Sequence, residues 1–329
     1  MSGRYERGRE RPLPSPHVIA PDADGPEDVQ VDSSGRVLAG LADGRIVRLT
    51  LNAAGGLDRY EVLARTGGRP LGLEVAADGG LLVCDARRGL LRVDPQAGSV
   101  RALVEEVDGL PLRFCSNVAA ARDGTVYFTV SSRRYGLEGW LGDILEHTGS
   151  GLLARLRPGG EPEVLLGGLQ FANGVALAPD ETFVVVAETG AYRLTRFWLS
   201  GPEAGRSDTF LGGLPGFPDN MSRTDEGLFW IALAGPRDAA VDWLSRRSGT
   251  ARRVAGAAGA MVTGLRAVAR PRPTVRVLAV DSESRIVHDL VLHRSPYRMV
   301  TSVCAFRGGL VLGSLYERGI AVCDRLPAG

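Results

Sequence analysis

Lysine is missing altogether from this 329-residue chain, so all 39 of its basic residues are arginine. That excludes Schiff-base chemistry on a lysine amine and the lysine of a phosphate-binding loop. Net charge is scarce too. The 38 acidic residues leave a formal balance of +1, so no polyanionic partner and no nucleic acid are expected. No stretch approaches the ~18 uninterrupted apolar residues of a membrane span. The N-terminal MSGRYERGRERPLPSPH lacks the apolar core of a signal peptide, and residues 1–15 read as a disordered, solvated arm. Cysteine is rare: Cys84, Cys115, Cys304 and Cys323 show no CxxC spacing and sit in or beside apolar runs. They read as buried reduced thiols, which points to a cytoplasmic protein.

What the chain does have is a repeat. PEDVQVDSSGRVLAGLADGRIVRL (Pro26 to Leu49), PLGLEVAADGGLLVCDARRGLLRV (Pro70 to Val93), CSNVAAARDGTVYFTV (Cys115 to Val130), FANGVALAPDETFVVVAETGAYRLTRFWL (Phe171 to Leu199), FPDNMSRTDEGLFWIAL (Phe217 to Leu233) and TSVCAFRGGLVLGSLYERGIAVC (Thr301 to Cys323) share one grammar. A polar or small residue opens a strand, a D-G or S-G type turn follows, then a β-rich strand, and usually another turn and strand. Glu27, Gly72, Asn117, Asn173, Asp219 and Ser302 are equivalent points, spaced by 45, 45, 56, 46 and 83 residues. Periods of ~40 to 50 with several strands per unit mark propeller blades. The expected fold is all-β, a six-bladed β-propeller over residues 16–329, with PHVIA near Pro16 completing the last sheet.

The two long spacings contain helical excursions over one face, at about 131–150 and 236–262. In the first, Tyr135, Trp140, Leu141, Ile144 and Leu145 are compatible with one helical face; in the second, a helix is expected around Ala239 to Arg247, with a Pro-rich exit. The first excursion would roof the central cavity and bring Tyr135 and Trp140 toward an aromatic or apolar small-molecule substrate.

In a propeller the first strand of each blade lines the central channel, so residues opening those strands converge. That gathers Glu27 with Asp28, Asn117, Asn173, and Asp219 with Asn220. Carboxylates and carboxamide oxygens are hard donors suited to Ca²⁺, which takes six to eight of them, and imidazole and thiolate ligands are missing from these positions. Two or more carboxylates in a narrow channel would also repel each other without a cation. Each of these residues taken singly is compatible with turn or strand-cap chemistry; their recurrence at one repeat position favours a metal centre. His147 in LEHTG reads as a surface or cap residue rather than a base.

GRPLGLEV, GLLRVDPQAG, GLQFANGVAL, RFWLSGPEAG, LPGFPDNMSR and LVLGSL, spread from about Gly25 to Asp324, resemble the strictosidine synthase-like branch of the gluconolactonase, regucalcin and paraoxonase propellers. The resemblance implies a metal held by Glu27, Asn173 and Asp219, with Asn117 and Asn220 matching further ligands of paraoxonases. It implies a calcium-dependent hydrolase of lactones or small esters, with Asp219 activating water and Asn117 holding substrate or metal. Departures narrow the branch. Thr301 stands where strictosidine synthase has its catalytic glutamate, Asp85 falls in the region of the paraoxonase histidine pair, where it would contact substrate, and Val130 replaces an Asp common in relatives. A non-hydrolytic condensation or cyclisation and a non-catalytic small-molecule-binding propeller stay open as alternatives, and the expected state is a monomer or homodimer.

Overall fold

Each run of β-branched and aliphatic residues becomes a strand of a small antiparallel sheet, and alternation along the strand decides which neighbour it packs against. Val184 and Val186 point into the seam with the preceding sheet, Val185 and Ala187 into the seam with the next. The computed structural model describes residues 3–6, 10–264 and 273–326. Blade one is Val29–Val31, Val37–Gly40, Arg45–Leu51 and Leu57–Arg65. Blade two is Pro70–Val75, Leu81–Asp85, Gly89–Val93 and Val100–Val104. Blade three is Cys115–Ala120, Val126–Val130, Gly151–Leu156 and Pro162–Leu169. Blade four is Ala172–Leu177, Phe183–Glu188, Arg193–Trp198 and Ser207–Gly212. Blade five is Gly216–Arg223, Phe229–Pro236, Thr274–Val280 and Ile286–His293. Blade six takes Val300–Phe306, Gly309–Ser314 and Arg318–Cys323, and its outer strand is His17–Asp24 from the other end of the chain.

The inner strands touch in the cycle one to six and back to one. Each of the six seams has its own buried cluster, for example Val184, Val186 and Phe197 with Tyr127 and Leu153 between blades three and four. The molecule is a six-bladed β-propeller, as the repeat implied. No blade buries both faces by itself, so the ring stands through its seams and through the N-terminal strand that closes blade six.

The arm read as disordered is partly ordered. Gly3–Arg4 runs parallel to Leu211–Gly212 on the outer edge of blade four, and Arg11–Pro12 runs parallel to Leu290–Val291 on blade five. Exposed sheet edges offer unpaired N–H and C=O groups, and these short strands satisfy part of them. Tyr5 adds a hydrogen bond from its hydroxyl to Asp289 Oδ2 at 2.8 Å.

Helices cover one mouth of the ring. α1 is Trp140–Glu146, after a 3-10 turn at Leu137–Gly139; α2 is Ala239–Ser245 and α3 is Gly249–Gly264. Asp238 starts α2, its Oδ1 accepting from Ala240 N at 2.8 Å. α1 and α3 cross closely because Gly256 has no side chain: a Cβ there would lie 2.7 Å from Glu146 Cβ. Asp143 moors α1 to blade three, accepting from Thr148 at 2.7 Å and also from Ser132 and Ser150. His147 is the left-handed cap residue of α1, its N–H bonded to Asp143 O.

Candidate functional site

A register shift recurs where the inner strands enter the channel. Pairing with the second strand skips between Pro70 and Leu73 in blade two, Cys115 and Val118 in blade three, Ala172 and Val175 in blade four, Pro218 and Met221 in blade five, and Val300 and Ser302 in blade six. The skipped positions include Ser116 with Asn117, Asn173, Asp219 with Asn220, and Thr301. A bulge releases residues from the ladder and re-aims their side chains. The same local irregularity, repeated by the blade period, thus turns polar side chains from separate sheets toward one point. Gly174 lets two blades meet there, since a Cβ on it would lie 2.5 Å from Asp219 O.

The gathered side chains are hydrogen-bonded across blades. Asn173 Nδ2 donates to Asp219 Oδ1 at 2.6 Å, and Asn173 Oδ1 accepts from Ser116 Oγ at 3.0 Å. Asn220 Nδ2 donates to Glu27 Oε1 at 2.9 Å, and Asn117 Nδ2 donates to Asn220 Oδ1 at 3.1 Å. Asn117 Oδ1 is committed to the backbone N–H of Val175 at 3.1 Å. Thr301 Oγ1 donates to the Glu27 carbonyl at 2.6 Å. Glu27 Oε2 is buried and has no hydrogen-bond partner.

Burial dominates the electrostatics. The Asp219 carboxyl is pushed up to about 8, chiefly by desolvation against the pull of its Asn173 hydrogen bond. Glu27 is raised well above the usual carboxylate range by burial and then by the charges of Asp219 and Asp28, with Arg69 pulling the other way. Carboxyls in this state need a proton or a cation.

Above them opens a cavity of about 350 Å³. Glu27, Asn173 and Asp219 with Ser116, Thr189 and Thr301 form its polar part, and Phe114, Phe171, Phe217, Trp140, Ile144 and Val241 contribute to an apolar wall. Phe114 and Phe171 meet edge to face at 5.4 Å. α1, from the first excursion, supplies the roof as expected, and α2, from the second, shares it through Val241.

The structure sorts the residues singled out in the sequence. Glu27, Asn173, Asp219 and Trp140 line the cavity; Asn117 and Asn220 do not, and lie behind the ring at 1% exposure each. With its oxygen held by Val175, Asn117 offers the ring an N–H, so its part is to hold Asn220 rather than to face a substrate. Asp28 is a clamp: Oδ2 accepts from Leu73 N at 2.8 Å and Oδ1 from Val29 N at 2.9 Å and from Ser302. Asp85 does not contact the cavity; its Oδ1 accepts from the N–H groups of Arg69, Arg87 and Arg88, so it organises turns. Tyr135 precedes α1 rather than sharing its face, and its hydroxyl donates to Glu146 Oε2 at 2.7 Å, away from the cavity wall. The aromatic wall was missed in the sequence. Phe171 just before the inner strand of blade four and Phe217 at the start of that of blade five look like ordinary core residues, although Phe171 has a left-handed backbone (φ 60) rare for an aromatic.

Whether a cation fits is decided by the donors. Among the described residues no three or more His, Cys, Asp and Glu side chains form a metal-holding group, so carboxamide oxygens would have to join the carboxylates. The unpartnered Oε2 of Glu27, the raised carboxyls and an all-oxygen donor set fit a hard cation such as calcium.

Residues 117–202 match the strictosidine synthase family and residues 13–49 match the N-terminal part of strictosidine synthase-like proteins. Strictosidine synthase-like 6 of Arabidopsis thaliana is 37% identical over 210 residues, covering 63% of this chain and 56% of that protein. The adipocyte plasma membrane-associated protein of Rattus norvegicus is 37% identical over 243 residues, covering 67% and 63%. The chain belongs to the strictosidine synthase-like family. This strictosidine synthase-like chain thus spans less than two thirds of the length of these relatives. Its fold is shared by a gluconolactonase from Xanthomonas campestris (TM-score 0.64, 16% identity, covering 98% of this chain and 97% of that one). It is shared equally by a regucalcin described as calcium-binding from Agrobacterium tumefaciens (TM-score 0.60, 16% identity, 99% and 98%). Among the described residues no helix is long and apolar enough to cross a membrane.

Proposed function

We propose that this strictosidine synthase-like propeller is a calcium-dependent hydrolase of lactones or small esters. The observation that carries the reading is the buried, unpartnered Oε2 of Glu27 beside Asn173 and Asp219 at the polar end of an apolar cavity. Glu27, Asn173 and Asp219 would hold the ion, with Asn220 and Asn117 bracing them from behind. When bound, the ion would polarise the carbonyl oxygen and offset the negative charge that develops on it, an effect worth several kcal/mol.

The chain's own residues account for the rest. Asp219 Oδ1 is tied to Asn173, which leaves Oδ2 to take the proton of a water attacking the carbonyl carbon. A carboxyl raised to about 8 is a poor base near neutrality unless a positive charge lowers it, so base and cation belong together. Phe114, Phe171, Phe217 and Trp140 would hold the apolar part of the substrate and keep bulk water from the reacting bond.

A second reading is a metal-free cavity serving binding or condensation. It is favoured by the carboxamide N–H groups that already partner both carboxylates. It is weakened, for condensation of the strictosidine type, by Thr301, which donates to the Glu27 carbonyl where that chemistry uses a glutamate. A panel of lactones and aryl esters, assayed on chelated protein with and without calcium, separates the readings. Turnover that appears only with calcium and is lost in Asp219→Asn supports the hydrolase; turnover indifferent to both rejects it.

A further inference from the structure

Cys84 and Cys115 have no part in the reading above, yet their sulfurs are 3.1 Å apart. Cys84 lies on the second strand of blade two and Cys115 opens the inner strand of blade three; both are fully buried in the seam between these blades. The thiols form a relay: the Cys115 S–H donates to Cys84, and the Cys84 S–H donates to the carbonyl of Asn117 at 3.3 Å. The other two cysteines differ. Cys304 packs between blades six and one, and Cys323 between blades five and six.

We propose that Cys84 and Cys115 are a redox pair that closes into a disulfide joining blades two and three. A disulfide bond is ~2.05 Å long, so the sulfurs need approach by only about 1 Å, a shift that side-chain rotation and small strand movement can supply. The co-reactant is a low-molecular-weight disulfide. One cysteine thiolate attacks it and releases one thiol; the second attacks the mixed disulfide and releases the other. Two protons and two electrons thus leave the pair, and the small disulfide is reduced to two thiols. Burial raises the Cys84 thiol well above its ordinary value and the seam shields both sulfurs, so exchange waits for that seam to open and proceeds slowly.

Closure has two structural consequences. It ties together two neighbouring sheets through positions 31 residues apart, which restricts the unfolded chain. It also removes the S–H that holds the Asn117 carbonyl, replacing that hydrogen bond with a covalent link two residues before Asn117.

The test uses the full chain. It is incubated with oxidised glutathione at mildly alkaline pH, quenched with acid, unfolded, alkylated and mapped by mass spectrometry. The expected result is a linked pair of peptides containing Cys84 and Cys115, with Cys304 and Cys323 alkylated, a rise of a few degrees in unfolding temperature, and reversal of both by dithiothreitol. Cys84→Ala and Cys115→Ala should each abolish the link and the rise. Alkylation of all four cysteines, a glutathione adduct that never resolves, or a link to Cys304 or Cys323 would overturn the proposal. Because the readout is covalent, it stands or falls independently of calcium and of hydrolysis.

Discussion

Asn220 Nδ2 lies 2.9 Å from Glu27 Oε1, so blade five partners the carboxylate contributed ahead of blade one's first strand. The bond is paired with a second across the ring, from Asn173 to Asp219 at 2.6 Å. Each carboxylate therefore keeps one oxygen for a carboxamide. On the calcium reading proposed above, the unpartnered oxygen of Glu27 is the atom the ion would take.

Asp219→Asn tests this reading directly. The substitution keeps volume and replaces a carboxyl that burial holds mostly protonated without the ion, so the fold should survive with an unfolding temperature equal to or above that of the parent in chelator. Calcium binding, measured by titration calorimetry, should weaken by at least about a hundredfold, since loss of a partnered charge in a buried site costs about 3 kcal/mol or more. Hydrolysis of any ester that the parent turns over should fall by at least as much. Unchanged calcium affinity would remove Asp219 from the metal site.

Stability should depend on pH in the direction opposite to acid denaturation. The Asp219 carboxyl is held at about 8 and those of Asp28 and Glu74 at about 7, each mainly by burial, whereas in the unfolded chain they release their protons near ~4. Between these limits the folded protein binds more protons than the unfolded one, so its stability falls as pH rises. Chelated protein should therefore melt at a higher temperature at pH 5.5 than at pH 8.5. Calcium should flatten or invert the trend by taking the place of the protons. A melting temperature that climbs with pH in chelator would show that these carboxyls are ionised and stabilised by other means.

The ring was legible in the sequence because a bulge recurs at one place in the repeat: what opens CSN, FANG and FPDN sits at the same structural position in its blade. Blade count followed from the spacing for the same reason. Asp85 misled because a turn-capping carboxylate and a substrate-binding one look alike in sequence; only the direction of its Oδ1, toward three backbone N–H groups, separates them. Tyr135 misled because helical spacing was extended past the true start of α1 at Trp140. The arm strands carry no apolar pattern of their own, since their hydrogen bonds come from the edges of blades four and five. Phe114, Phe171 and Phe217 escaped notice because a cavity wall and a packed core call for the same residues.

The roof makes a separable contribution. Trp140 lines the cavity and its Nε1 donates to Tyr316 Oη at 3.3 Å, bridging α1 to blade six across the mouth. Trp140→Ala should raise KM for aryl esters about tenfold or more through lost apolar contact, with a smaller change in kcat. A short aliphatic lactone should be affected less. Equal losses on both substrates would assign Trp140 to holding the roof rather than to contacting substrate.

Asp28 distinguishes a clamp from a ligand. Its two oxygens serve Leu73 N in blade two and Val29 N in blade one, with Ser302 of blade six as a third donor. Asp28→Ala strands the buried Leu73 N–H, leaves the Val29 N–H with Ser302 Oγ alone at 3.1 Å, and cuts the tie from Ser302; it should destabilise the protein by about 2 kcal/mol or more, read from denaturant unfolding. Asp28→Asn keeps one acceptor, and because the native carboxyl sits at about 7 the loss of charge itself costs little near neutrality. The Asn variant should therefore recover much of the stability and keep calcium affinity within about threefold of the parent. A carboxyl that only joins three blades loses its role with its hydrogen bonds; one that grips the ion would lose it with its charge, and Asp28→Asn would then bind calcium as poorly as Asp219→Asn.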